Sequence, residues 1–324
     1  MDRLPHFTLA RPASLVDAVR LLMANPEGRI LAGGTDLIPN LRRGIGTPAL
    51  VVDLSAIHGL DAIEEADGGL RVGARATLAA LAKHPEIAAR CAAVAEAAKT
   101  VAGPGHRVVA TLGGNLCLDT RCVFYNQAEW WRRGNDYCLK HRGSVCHVAP
   151  QGARCHAAFS GDLAPALMAL SAEVEIASAT GTRRAPLESL YRDDGANHLN
   201  LAPWEILAAV RIPAAPGVRS GYRKSRARGA IDFPLAGVAV ALSVAEGRLA
   251  SLRVGVTGTN SRPFVVDGTA DLRGCPPDEE TAAKLGKLVE KQVRPMRTTV
   301  TSSHYRRQVA MVLARRLLLA LAAA

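Results

Sequence analysis

The stretch "LAGGTDLIPNLRRG", Leu31–Gly44, joins a short apolar run, "RILA", to a segment of helical spacing through two consecutive glycines. Gly33 and Gly34 lack a Cβ, so the backbone can turn tightly there and bring its N–H groups close to an anion, with the start of the next helix adding partial positive charge. The same two residues also suit a plain turn between strand and helix. Their spacing is not the GxGxxG of a Rossmann fingerprint, so that fold does not follow. Just upstream, "SLVDAVRLLMANPEG" reads as a helix: Ser14 can cap it with Asp17 three residues on, Leu15, Val19 and Leu22 share a face, and Asn25-Pro26 stops it. The first sixty residues therefore read as an α/β unit.

Downstream, "ALVVDLS" and "LRVGARAT" are strand-like, and an alanine-rich helix is expected from about Ala79 to Lys99. A second glycine pair lies in "VVATLGGNLC", with Thr111, Gly113, Gly114 and Asn115. In "SGDLAPALMALSAEVEIAS", Asp162 stands where a helix N-cap belongs. A chain of 324 residues, 48% hydrophobic, is long enough for two domains with a sizeable core. "MDRLPHFTLA" carries no signal-peptide run and "LLLALAAA" falls short of membrane-spanning length, so a cytoplasmic protein off the membrane is expected. The net charge of +11 raises nucleic acid as a partner. Aromatics at 4% and the spread of basic residues along the chain argue against it. The densest basic group, "YRKSRARG" at Tyr222–Gly229, suits a solvated loop, an anionic cofactor or an acidic protein partner.

Four of the seven cysteines, Cys122, Cys138, Cys146 and Cys155, fall in a segment without helical or strand periodicity. In a reducing compartment clustered thiols read as metal ligands or redox groups rather than disulfides. Four thiolates can hold one tetrahedral zinc or a cubane iron–sulfur cluster. The spacing C-x15-C-x7-C-x8-C lacks the C-x2-C knuckles of most structural zinc sites, which leans toward a cluster. His141, His147 and His156 are substitute ligands or neighbours. Cys117 reads as a small apolar residue beside the glycine loop, and Cys91 and Cys275 as isolated. The segment also holds Phe124, Tyr125, Trp130, Trp131 and Tyr137, enough to build a small core around the thiols. Its cations, Arg121, Arg132, Arg133, Lys140, Arg142 and Arg154, would suit docking of an acidic carrier or simply a solvated surface.

Taken in order, "LAGGTDLIPNLRRG", "TLGGNL" and "GDLAPALMAL", together with "RPASLVDAVRLL", "LVVDLSAIHGL", "EILAAVRIP" and "SSHYRRQVAMVLARRLLLAL", resemble the FAD-binding subunits and domains of the molybdenum hydroxylase (xanthine oxidase) family over nearly the whole chain. The resemblance implies an α+β fold: an N-terminal FAD-binding region of two α/β subdomains, residues 1–217, and a C-terminal domain with an antiparallel sheet and helices, residues 218–324. It also implies site residues. The run Arg29, Ile30, Leu31, Ala32, Gly33, Gly34, Thr35 and Asp36 matches the family's FAD diphosphate loop, and Thr111, Gly114 and Asn115 match a second cofactor-contacting loop. Asp162 matches a flavin-contacting aspartate, Leu207 a residue lining the cofactor site, and Lys224 a lysine near the flavin ring. Val101 falls where some relatives carry an aromatic near the flavin. No nucleophile or acid–base pair is expected.

Between Asn115 and Asp162 common family members have a much shorter loop. The excess here, about residues 116–158, resembles the branch of the family whose flavin subunit carries an additional 4Fe-4S cluster, with Cys122, Cys138, Cys146 and Cys155 as its ligands. What this implies is an FAD-dependent oxidoreductase subunit that takes electrons from a ferredoxin-like donor. It would work in a hetero-oligomer, such as a dimer of heterotrimers, with a molybdenum-cofactor subunit and a 2Fe-2S subunit.

Overall fold

In the computed structural model, which describes residues 3–299 and 301–323, the first glycine loop leaves a small parallel sheet. Its strands are Thr8–Ala10, Leu50–Asp53 and Arg29–Leu31, with Leu50–Asp53 in the middle. All four residues of the middle strand are buried, as expected of a short apolar run in a parallel sheet covered on both faces. The helix Leu15–Ala24 begins where the sequence places it, with the Ser14 hydroxyl accepting from the Asp17 N–H at 3.1 Å. It buries Ala18, Val19 and Leu22 between this sheet and Ala177, Ile206 and Ala208 of the next.

The second sheet runs Ile63–Ala66, Gly69–Gly73, Ile206–Ile212, Glu173–Ser178, Gly181–Pro186, antiparallel at every pairing. Because Ile206–Ile212 pairs with both Gly69–Gly73 and Glu173–Ser178, the chain between the latter two is a single excursion from the sheet. That excursion supplies the helices of the main core and the cysteine-rich insert. The alanine-rich stretch expected as one helix is three: Leu78–Lys83, Pro85–Arg90 and Ala92–Thr100. Pro85 has no N–H to continue a helix and disfavours helical backbone at the residue before it, and His84 is accordingly extended. A second break comes at Cys91, whose φ of −137° lies outside the helical range.

The C-terminal sheet is antiparallel in the order Phe264–Val265, Arg248–Thr257, Ala236–Ala245, Arg219–Ser225. One face packs on the helices Ala92–Thr100 and Leu163–Ala169, and the other is covered by Glu279–Gln292 and Ser303–Ala323. Arg306 is wholly buried in the last helix, donating to the carbonyls of Leu235 and Met296 and so tying the helix to the sheet's loops. The architecture is α+β, an N-terminal mixed region and a C-terminal antiparallel sheet with helices. Among the described residues, no helix is long and apolar enough to cross a membrane.

Candidate functional site

The two glycine loops meet. A Cβ on Gly33 would lie 2.0 Å from the Val109 carbonyl oxygen, so only glycine lets the first loop lie this close to the backbone leading into the second. Gly34 has φ +69°, the left-handed region that glycine occupies without strain. Among the described residues the N–H groups of Gly33, Gly34 and Thr35 find no acceptor, whereas those of the second loop are used: Gly113 donates to Ala74 O at 2.7 Å and Gly114 to the Thr111 hydroxyl at 3.1 Å. The first loop therefore presents donors, and the second serves as a braced support. Ala74 in turn donates to Ala208 O at 2.8 Å, which places buried Leu207 one strand position from this support.

The third sequence signal joins the second. Asn115 accepts from the Leu163 N–H at 2.9 Å, holding the start of the helix Leu163–Ala169 against the loop. Asp162 does not cap that helix, contrary to the expectation from its position. Its carboxylate turns instead to the C-terminal sheet, accepting from the Tyr222 hydroxyl at 2.6 Å and from Lys224 Nζ at 3.1 Å. The Lys224 and Asp162 side chains are only 2% and 3% exposed. Burial pushes the Asp162 carboxyl up and the Lys224 ammonium down, and each group is opposed in this by the other's charge. Lys224 also donates to Asp232 O at 3.3 Å.

The next residue, Phe233, lies under the guanidinium of Arg121, 5.0 Å from its ring centre. Arg121 is buried, pairs with Asp36 of the first loop, and donates to Asn40 Oδ1 at 3.3 Å. A run of contacts thus leads from Asp36 through Arg121, Phe233 and its neighbour Asp232, Lys224 and Asp162 to Leu163 and Asn115. Val101 follows the helix Ala92–Thr100, whose Thr100 carbonyl accepts from Arg226, and packs against the main core. Tyr222 and Arg121 were not expected here. For Tyr222 a signal existed, since residues 222 and 224 share one face of a strand.

The cysteine-rich insert has a clasped neck: Arg121 and Ala158 exchange two backbone hydrogen bonds of 2.7 and 2.8 Å. Beyond it, Cys122, Cys138, Cys146 and Cys155 line one recess together with Tyr125 and Lys140. Cys122, Cys146 and Cys155 are buried, and Cys138 is partly exposed. His147 reaches the recess, while His141 and His156 do not. Cys117 packs against the main core, and Cys91 is buried in it. Burial pushes the Cys155 thiol up to about 12, and the neighbouring thiols act in the same sense. A metal ligates the deprotonated thiol, so a positive centre beside Cys155 would oppose the effect of burial there. Among the described residues no three His, Cys, Asp or Glu side chains converge on a point that would hold one ion. Four thiolates on a single zinc each sit about 2.3 Å from it.

The insert is also less uniform than its composition suggested. A six-residue helix, Glu129–Gly134, puts Trp131 inward beside Phe124 and leaves Trp130 71% exposed, because adjacent helical residues do not share a face. Arg132 is buried and donates to the Gly44 carbonyl at 3.0 Å, pinning the insert to the end of the first loop segment. The Lys140 side chain is also largely covered, 5% exposed. Of the insert's cations, Arg133 and Arg142 are the exposed ones.

Residues 5–215 match the FAD binding domain in molybdopterin dehydrogenase, and residues 220–321 match the CO dehydrogenase flavoprotein C-terminal domain. The chain belongs to the FAD-binding medium subunits of the molybdenum hydroxylase family. This flavoprotein is 29% identical over 315 residues to the nicotine 6-hydroxylase medium subunit of Paenarthrobacter nicotinovorans, covering 97% of this chain and 96% of the relative. It is 32% identical over 271 residues to the aldehyde oxidoreductase FAD-binding subunit of Escherichia coli K12, covering 81% and 84%. Its fold matches a chain of reconstituted CO dehydrogenase from Oligotropha carboxidovorans with a TM-score of 0.82 at 26% identity, over 99% of both chains.

Proposed function

We propose that this flavoprotein is the FAD- and 4Fe-4S-carrying electron-transfer subunit of a cytoplasmic, molybdenum-containing 4-hydroxybenzoyl-CoA reductase. It takes electrons from a ferredoxin-like donor and delivers them toward 2Fe-2S clusters and a molybdenum cofactor on partner subunits, where the ring hydroxyl is removed to give benzoyl-CoA. Relatives named medium subunits and medium chains support a role beside other subunits in a hetero-oligomer. The observation that carries the finer reading is the recess lined by four cysteines within a flavoprotein-subunit fold. When bound, FAD supplies one- or two-electron chemistry and the cluster single-electron chemistry.

The chain's own part is to hold both. Residues 1–217 form the FAD-binding region, with the insert at about 116–158, and residues 218–324 the C-terminal domain. The free N–H groups of the Arg29–Asp36 loop cradle the diphosphate, Thr111, Gly114 and Asn115 shape the second wall, and Asp162, Leu207, Lys224 and Val101 line the flavin end. Cys122, Cys138, Cys146 and Cys155 ligate the cluster. Metal, sulfide and flavin content of the full chain purified without oxygen tests this. About four iron and four sulfide per chain, with FAD, are expected. Zinc without sulfide would make the insert a structural knot in another molybdenum hydroxylase, and a complex that does not form benzoyl-CoA from 4-hydroxybenzoyl-CoA would remove the substrate assignment.

Gly33→Ala is expected to strip FAD selectively. The added methyl meets backbone at Val109, which cannot swing aside as a side chain can, and overpacking of this kind costs about 1–3 kcal/mol. Flavin absorbance should fall while iron content holds; full flavin occupancy would show that the loops need not touch.

Donor docking narrows to the exposed cations. Reversing Arg133 and Arg142 to Glu should slow reduction by an acidic protein carrier several-fold at low ionic strength, less at high salt where charges are screened within about 3 Å, and leave reduction by a small uncharged dye unchanged. Equal carrier rates at low salt would place docking elsewhere. Arg132→Glu is a different experiment, because it unpins the insert from Gly44.

A further inference from the structure

Lys140 stands in the wall of the cysteine recess with its side chain only 5% exposed. Its ammonium donates to Asp119 Oδ1 at 2.6 Å, to Thr120 O at 3.1 Å and to the Thr120 hydroxyl, so three donors meet three acceptors. The same ammonium lies 4.5 Å from the centre of the Tyr125 ring, and Tyr125 also lines the recess. The arrangement is built rather than incidental: the Thr120 hydroxyl is itself anchored to Gly195 O at 2.6 Å, and the Gly195 N–H donates to Cys155 O at 2.9 Å. A neighbouring histidine, His198, adds no competing charge at neutral pH, since burial lowers its pKa to about 4.

We infer that Lys140 and Asp119 form a charge pair that sets the reduction potential of the group held by the four cysteines. The inference rests on the iron–sulfur reading of that recess. Lys140 is part of the recess wall and Asp119 stands behind it, so the thiolates meet the positive end of the pair first. A cluster gains one negative charge on reduction, and charge and hydrogen bonding around it are the levers by which a protein moves its potential. In a buried, low-dielectric setting a fixed cation favours the reduced form, and the carboxylate behind it offsets part of that effect.

The two charges have opposite signs, which gives a test that a purely structural role would not pass. In Lys140→Gln the potential should move down. In Asp119→Asn, which keeps an oxygen for the Thr120 N–H that now donates to Asp119 at 2.9 Å, it should move up. Lys140→Arg should stay near the unmodified value. The readout is a potentiometric titration of the full chain followed by the cluster's paramagnetic resonance signal, with iron, sulfide and FAD measured on the same samples. Opposite shifts at unchanged iron content support the inference, and where Lys140→Gln loses iron an upward shift in Asp119→Asn still does. Unmoved potentials, or shifts of the same sign in both variants, overturn it while leaving the cluster in place. Zinc in the unmodified chain overturns the underlying iron–sulfur reading, and this inference with it.

Discussion

Alanine at any one of Cys122, Cys138, Cys146 or Cys155 is expected to abolish the iron–sulfur signal while most of the FAD stays bound. Alanine offers no ligand, and three thiolates around a cubane leave one iron open to solvent and loss. The four thiols line one recess, so the effect should not depend on which is removed, although Cys138 is the most exposed of them. Most of the flavin should survive because the glycine loops keep contacts outside the insert, Gly33 against Val109 and Asn115 to Leu163, besides those to Arg121 and Arg132. Cys117→Ala, Cys91→Ala and Cys275→Ala should each keep about four iron per chain. Cys117 is the sharpest control, since it lies five residues before Cys122 yet packs into the main core. A cluster that survives Cys155→Ala and disappears in Cys117→Ala would show that the fourth ligand had been misassigned.

Why some of this was legible in the sequence and some not follows from the range of the interactions. Turn chemistry and capping are local, so the strand, glycine turn and helix around Gly33, the Ser14 cap and the stop at Asn25 could be read directly. Pro85 breaks the alanine-rich stretch locally, although the composition on either side of it favours one helix. Asp162 misled because a carboxylate at a helix start is a local signal for capping, while its real partners, Tyr222 and Lys224, are some sixty residues away. The basic residues of the insert misled in the same way. Composition cannot separate Arg132, which is buried on Gly44, from Arg133, which faces solvent. Lys140 and Asp119 are 21 residues apart with no periodic relation, so only the folded insert pairs them.

Lys224→Met is expected to be the most damaging single substitution in the flavin region. It leaves the Asp162 carboxylate in a site where burial already raises its pKa, with the Tyr222 hydroxyl as its remaining side-chain partner. Breaking a buried ion pair by removing one member costs about 3–5 kcal/mol, which is a large part of the 5–15 kcal/mol that holds a typical domain folded. Asp162→Asn should cost a comparable amount by stranding the ammonium. Stability alone would not reveal a flavin role, because an unfolding domain loses its cofactor whatever the cause. The double variant, Asp162→Asn with Lys224→Met, separates the two effects: with both charges gone the desolvation penalty goes as well, and stability should recover to within about 1–2 kcal/mol of the unmodified chain. If the pair also holds or tunes the flavin, FAD affinity in the double variant stays weak or its potential stays shifted despite the recovered fold. Thermal unfolding and flavin titration on the same samples decide it. FAD affinity and potential returning together with stability would reduce Asp162 and Lys224 to a clamp between the helix Leu163–Ala169 and the C-terminal sheet.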